Sequence, residues 1–140
     1  MPCPTSGLKV ATGTAGAAAG SLYQQIDFTN TSGRTCTLYG YPGVAQTTDM
    51  TPGSQVGAAA TKSTAKPKMV ITLAAGKTAS ATLQITQVVN YPTANCGPED
   101  SRYLQVYPPG QTAAVYLPYQ SKGCTKPVFV LGITAIVAGA

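Results

Sequence analysis

Residues Thr78 to Thr86 alternate without a break. Ala79, Ala81, Leu83 and Ile85 are apolar, while Thr78, Ser80, Thr82, Gln84 and Thr86 are polar. A period of two places the apolar set on one face of a strand, turned to a core, and the hydroxyls on the other, turned to water. The same period recurs at Leu22, Gln24, Ile26 and Phe28, with Gln24 as the one polar member, and at Met69, Ile71 and Leu73. Leu104/Val106 and Val115/Leu117 flank Pro108-Pro109-Gly110, which predicts a hairpin. Ala74-Ala75-Gly76-Lys77 reads as a short hairpin turn between the strands on either side of it, with Gly for positive φ. Further strands are expected at 8–11, 35–39, 44–47 and 128–137. Ala15–Ala19 and Ala58–Ala60, flanked by Gly, read as loops or strand edges, and 49–68 as a long loop with a short strand near Val56. Eight or nine short strands and no convincing helix predict an all-β fold, an immunoglobulin-like antiparallel β-sandwich, with a closed barrel as the alternative.

Composition agrees. Charged residues make up only 9% of the chain against 44% apolar, so the polar surface must be built from uncharged side chains, and the chain holds 20 Thr. Thr favours strands, whereas the usual helix-surface residues are scarce, with seven Lys and one Glu. A length of 140 residues suits one domain, 1–140, with a real core.

Four cysteines stand at Cys3, Cys36, Cys96 and Cys124, with no CxxC and no His, which argues for disulfides over zinc. Of three possible pairings, Cys3–Cys36 and Cys96–Cys124 each close a moderate loop, worth about 3–4 kcal/mol apiece by chain entropy. Disulfides imply an oxidising compartment, extracellular or in the cell envelope. The abrupt start Met1-Pro2-Cys3 reads as a chain whose export signal has been removed. The longest apolar run, Val128 to Ala140, is too short for a membrane span.

The catalytic inventory is thin. Without His the commonest general base is missing, and the four carboxylates are Asp27, Asp49, Glu99 and Asp100. Glu99 and Asp100 are neighbours that extended backbone would point to opposite sides, unlike the facing acids of a glycosidase. Ser63-Thr64-Ala65-Lys66 matches the S-x-x-K of penicillin-binding proteins, but Pro67 follows at once and S-D-N is absent. Gly76-Lys77-Thr78 resembles the end of a P-loop, yet Ile71 occupies the first Gly position. Asn30-Thr31-Ser32 fits a glycosylation acceptor, which matters only in a host with that machinery. We therefore expect no enzyme, no cofactor and no metal.

Binding is the better expectation. Eight Tyr and no Trp make the aromatic set amphipathic. Alternation turns Tyr103 and Tyr107 away from the Leu104/Val106 face, and the hairpin brings Tyr116 and Tyr119 alongside. Such a patch can anchor a sugar or a protein, or can simply be cross-strand packing. Lys62, Lys66 and Lys68 form the only basic cluster of a chain with net charge +5. No aromatic interleaves with them in sequence, which argues against nucleic acid and reads as a solvated loop, with a weak attraction to anionic cell-wall polymers or lipids as the alternative.

Several of these segments carry a resemblance. Cys36-Thr37-Leu38-Tyr39-Gly40-Tyr41-Pro42-Gly43-Val44 resembles the C-x-L-x-G-Y-P-G-V signature of an actinobacterial secreted group, the domain of unknown function family 4232. Phe28-Thr29-Asn30-Thr31 is similar to its F-x-N-T turn. Leu73 to Ala79 is similar to its L-x-P-G-x-x-A turn, with Ala75 where Pro is usual, and Val106 to Gly110 to its V-x-P-P turn. The resemblance implies export, sometimes with a lipid anchor, and a small β-sandwich; it implies no activity. The expectation is a single, non-catalytic secreted or envelope module binding a protein or glycan. A secreted protease inhibitor presenting Cys96 to Arg102, or a purely structural envelope protein, are the alternatives.

Overall fold

In a computed structural model, described for residues 1–126 and 128–140, twelve strands form two main sheets and a short ribbon. The larger sheet has β1 (Leu8–Ala18), β2 (Ser21–Asn30), β8 (Thr78–Thr86), β11 (Leu131–Ile133) and β6 (Thr61–Lys62) in that order, with β12 (Val137–Ala138) also on β8. The second sheet runs β10 (Val115–Cys124), β9 (Pro98–Tyr107), β4 (Gly43–Thr47), β5 (Gln55–Val56). The ribbon pairs β3 (Cys36–Tyr39) with β7 (Val70–Leu73). All of these ladders are antiparallel except β6 with β11. Three 3-10 turns and a single α-helical turn, α1 (Thr93–Cys96), complete the described residues.

This is the all-β, two-disulfide sandwich that the alternation predicts. The core is built from the predicted faces: Ile26 and Phe28 of β2, and Ala79, Ala81, Leu83 and Ile85 of β8. Val44, Leu104, Val106 and Leu117 of the second sheet meet them in one buried cluster. Both disulfides are present, Cys3–Cys36 and Cys96–Cys124, and no cysteine is free. The first ties the chain start to β3. The second ties α1 to the end of β10.

The polar member of the β2 face has a physical reason. β1 carries a bulge between Thr12 and Ala15 where it pairs with β2. A bulge leaves main-chain groups without ladder partners. The buried Gln24 amide donates to the Gly13 carbonyl at 3.1 Å and to that of Thr14 at 3.4 Å. Gln24 thus closes the bulge instead of filling the core. Beyond the bulge the Ala/Gly-rich stretch stays in β1, as an edge strand.

Two expectations are corrected. The turn at Ala74–Lys77 forms, with Lys77 N–H donating to Ala74 O at 3.0 Å, but it does not join a hairpin. β7 pairs with β3 and β8 with β2, so the chain leaves the ribbon for the large sheet there. The cause is Asn30, fully buried at the end of β2. Its side-chain amide donates to Leu73 O at 2.8 Å and to Arg34 O at 2.6 Å. Its main chain pairs with Lys77 and Gly76 across the turn. The same burial removes Asn30 as a glycosylation acceptor. The 49–68 segment is also less open than expected, because Thr61–Lys62 adds to β11 as β6.

Candidate functional site

The predicted tyrosine face lies on the second sheet. The β9–β10 hairpin has the expected register, with Val115 opposite Val106 and Leu117 opposite Leu104. Tyr116 therefore lies opposite Gln105, and Tyr103 opposite Pro118. Since facing residues share a side, Tyr103, Gln105, Tyr107 and Tyr116 line the face turned from the core. The three tyrosines are half-buried, and Gln105 Nε2 donates to the Tyr116 hydroxyl at 2.8 Å. β4 extends this face, with Gly43 opposite Tyr107 and Ala45 opposite Gln105.

The Gly40 to Gly43 motif shapes its edge. Gly40 has φ of 89°, a left-handed turn that favours Gly. A Cβ at Gly43 would stand 3.4 Å from the Tyr107 ring, so Gly43 leaves that ring a close seat. Two shallow clefts flank the row. One, of about 310 Å³, is lined by Gln55, Ala59, Gln105 and Tyr107 among others. The other, of about 360 Å³, is lined by Arg102, Tyr103, Pro118, Tyr119 and Gln120.

Tyr119 lines the cleft beside Tyr103, but outside the regular alternation of its strand. β10 bulges between Pro118 and Ser121, and the Tyr119 ring packs against the core cluster. Its burial raises the phenol pKa above the usual 10.0. Alternation alone could not place it, because a bulge resets the phase of a strand.

The remaining sequence candidates are dispersed. Ser63 Oγ accepts the Ala65 N–H at 3.2 Å in a bend, with no helix to bring Lys66 back over it. Asp100 pairs with Lys122 at 2.6 Å on the exposed β9–β10 ladder. The Lys122 hydrogen bond and charge hold the Asp100 carboxyl below its ordinary value. Glu99, one residue earlier on the strand, is exposed. Among the described residues no three His, Cys, Asp or Glu side chains converge as a metal site would require. Nor is any described helix long and apolar enough to cross a membrane.

The family profile described as a domain of unknown function (DUF4232) matches residues 3–136. The chain belongs to the DUF4232 family. The match takes in all four cysteines, the Gly40 turn and the tyrosine face of this DUF4232 domain. No curated protein and no solved structure matches the chain.

Proposed function

We propose that this DUF4232 domain is a non-catalytic module, exported to the cell surface or beyond, that binds a protein or glycan through the outer face of β4, β9 and β10. The observation that carries this reading is the row of Tyr103, Gln105 and Tyr107 with Tyr116 across it. Half-buried phenol rings offer apolar area at low rotamer cost, and the buried Gln105 amide fixes the Tyr116 hydroxyl in place. β9, which carries Tyr103, Gln105 and Tyr107, lies inside the four-stranded sheet between β10 and β4 and is a rigid platform for them. Export is supported by the two disulfides, which persist in oxidising compartments. The non-catalytic part rests on the residue inventory, which has no His and only four carboxylates. The protease-inhibitor reading is weaker, because Cys96 to Arg102 is a helical turn and a ladder-paired strand, not a free loop.

The test is binding to envelope glycans and envelope proteins with single substitutions on the face. Tyr107→Ala and Tyr116→Ala should each weaken binding by about 1–2 kcal/mol, as interface anchors do. Melting temperature should fall only slightly for Tyr107→Ala and somewhat more for Tyr116→Ala, which takes the partner of the buried Gln105 amide. Full binding together with a large loss of stability in both variants would reduce the tyrosines to packing residues.

A further inference from the structure

A second surface, on the β3–β7 ribbon, has a different chemistry. In sequence the lysines at 62, 66 and 68 stand apart from any aromatic residue. The fold brings two to them. Lys62 Nζ lies 5.6 Å from the centroid of the Tyr41 ring, and Lys68 Nζ 5.9 Å from that of Tyr39. The Tyr41 hydroxyl donates to Ser63 O at 2.7 Å, which ties the lysine-bearing segment to the Gly40 turn. Pairing of β3 with β7 sets Tyr39 opposite Val70.

The apolar side chains here are not covered. Tyr39 is 54% exposed, Met69 52% and Val70 63%. They make up three of the eight large apolar side chains that the described residues expose; Tyr39 and Val70 face each other across the ladder, and Met69 precedes Val70 where the strand begins. The cations are uncompensated as well, since the single salt bridge among the described residues joins Lys122 and Asp100 elsewhere. Exposed apolar side chains with an ammonium group beside them, as Lys68 stands by Tyr39, match one kind of partner. At a bilayer surface aromatic and aliphatic side chains enter the headgroup layer while lysines reach the phosphates. A soluble polyanion would satisfy the lysines but leave Met69 and Val70 in water.

We propose that this patch docks on an anionic lipid bilayer surface, with Tyr39, Met69 and Val70 in the headgroup layer and Lys62, Lys66 and Lys68 on the lipid phosphates. The patch lies on a different ladder from the Tyr103 face.

Co-sedimentation of the full chain with vesicles tests this. Phosphatidylglycerol–phosphatidylcholine vesicles should bind the protein, and phosphatidylcholine alone should not. Binding should weaken with salt. Each of Lys62→Gln, Lys66→Gln and Lys68→Gln should lower partitioning about fivefold. Met69→Ser with Val70→Ser should lower it again at unchanged charge. All five side chains are surface groups, so melting temperatures should hold. Absence of wild-type binding to the anionic vesicles at low salt would overturn the proposal. So would binding that ignores Met69→Ser with Val70→Ser and is matched by soluble polyphosphate.

Discussion

Asn30→Ala is the substitution that most directly tests how the two sheets and the ribbon are joined. Asn30 makes four side-chain bonds. Nδ2 donates to the carbonyls of Arg34 and Leu73, and Oδ1 accepts from Ser32 N–H at 3.0 Å and Ser32 Oγ at 2.7 Å. Alanine keeps the main-chain bonds to Lys77 and Gly76 and removes only these. Ser32 is exposed, so water replaces its partner at little cost. Leu73 O has no such recourse, because that bond is buried. An unmet buried acceptor costs about 1–3 kcal/mol, and the part-buried bond to Arg34 O adds about 1 kcal/mol. The expected loss is about 2–4 kcal/mol, read from urea unfolding as a lower midpoint at unchanged slope. Asn90→Ala is the control. It removes one exposed bond, from Asn90 Nδ2 to Gly20 O, and should cost under about 1 kcal/mol. Asn30→Asp sharpens the test. It places a buried carboxyl against two carbonyl oxygens, which favours its protonated form in the folded state. The folded protein then binds more protons than the unfolded chain above the ordinary carboxylate pKa, so stability falls as pH rises and recovers on acidification. Asn30→Ala with the stability of wild type, or Asn30→Asp losing stability as the solution is acidified from about pH 7 to about pH 5, would refute the reasoning.

Three further outcomes are expected. Replacing Cys96 and Cys124 together by Ala releases a loop with sequence separation 28 and should cost about 3–4 kcal/mol in denaturant unfolding; a loss under about 1 kcal/mol would contradict it. Tyr119 should ionise above the ordinary phenol value of 10.0 in an ultraviolet titration, and Tyr119→Phe should remove that delayed step. Because the folded value is raised, its contribution to stability is complete below 10.0 and is lost as pH climbs through the folded pKa. Ser63→Ala and Lys66→Ala should leave the melting temperature unchanged and the protein unlabelled by a reporter β-lactam. Labelling that Ser63→Ala abolishes would restore the serine as a nucleophile.

What the sequence made legible was local periodicity. Thr78 to Thr86 and the β9–β10 hairpin could be read because each face repeats every second residue without interruption. Both disulfides could be read from loop length. What local pattern left open was set by partners distant in sequence. Ala15 to Ala18 is strand only because β2 lies beside it. Thr61–Lys62 has two polar residues and no pattern, and becomes β6 through β11. The turn at Gly76 looks like a hairpin from either side, and only the Asn30 amide on Leu73 O shows why the chain changes sheets. Of the candidate binding residues, Tyr103, Tyr107 and Tyr116 followed from alternation. Tyr119 lies in the cleft beside Tyr103, with its phase set by a bulge that alternation does not show, and the aromatic partners of Lys62 and Lys68 lie more than one strand away in sequence.

The position of β8 has a consequence in time. One edge of β8 is covered by β2, which precedes it, but the other is completed by β11 and β12 near residue 138. Thr134 bridges the gap between those two, its hydroxyl accepting the Thr82 N–H at 2.9 Å. During synthesis the last residue of β8 emerges 45 residues ahead of Leu131, since 131 minus 86 is 45. At about 5–20 residues per second that is roughly 2–9 s in which a strand with a fully apolar face has a bare edge. A nascent chain in that interval holds an open template for pairing, which another chain can occupy until its own C-terminal strands arrive.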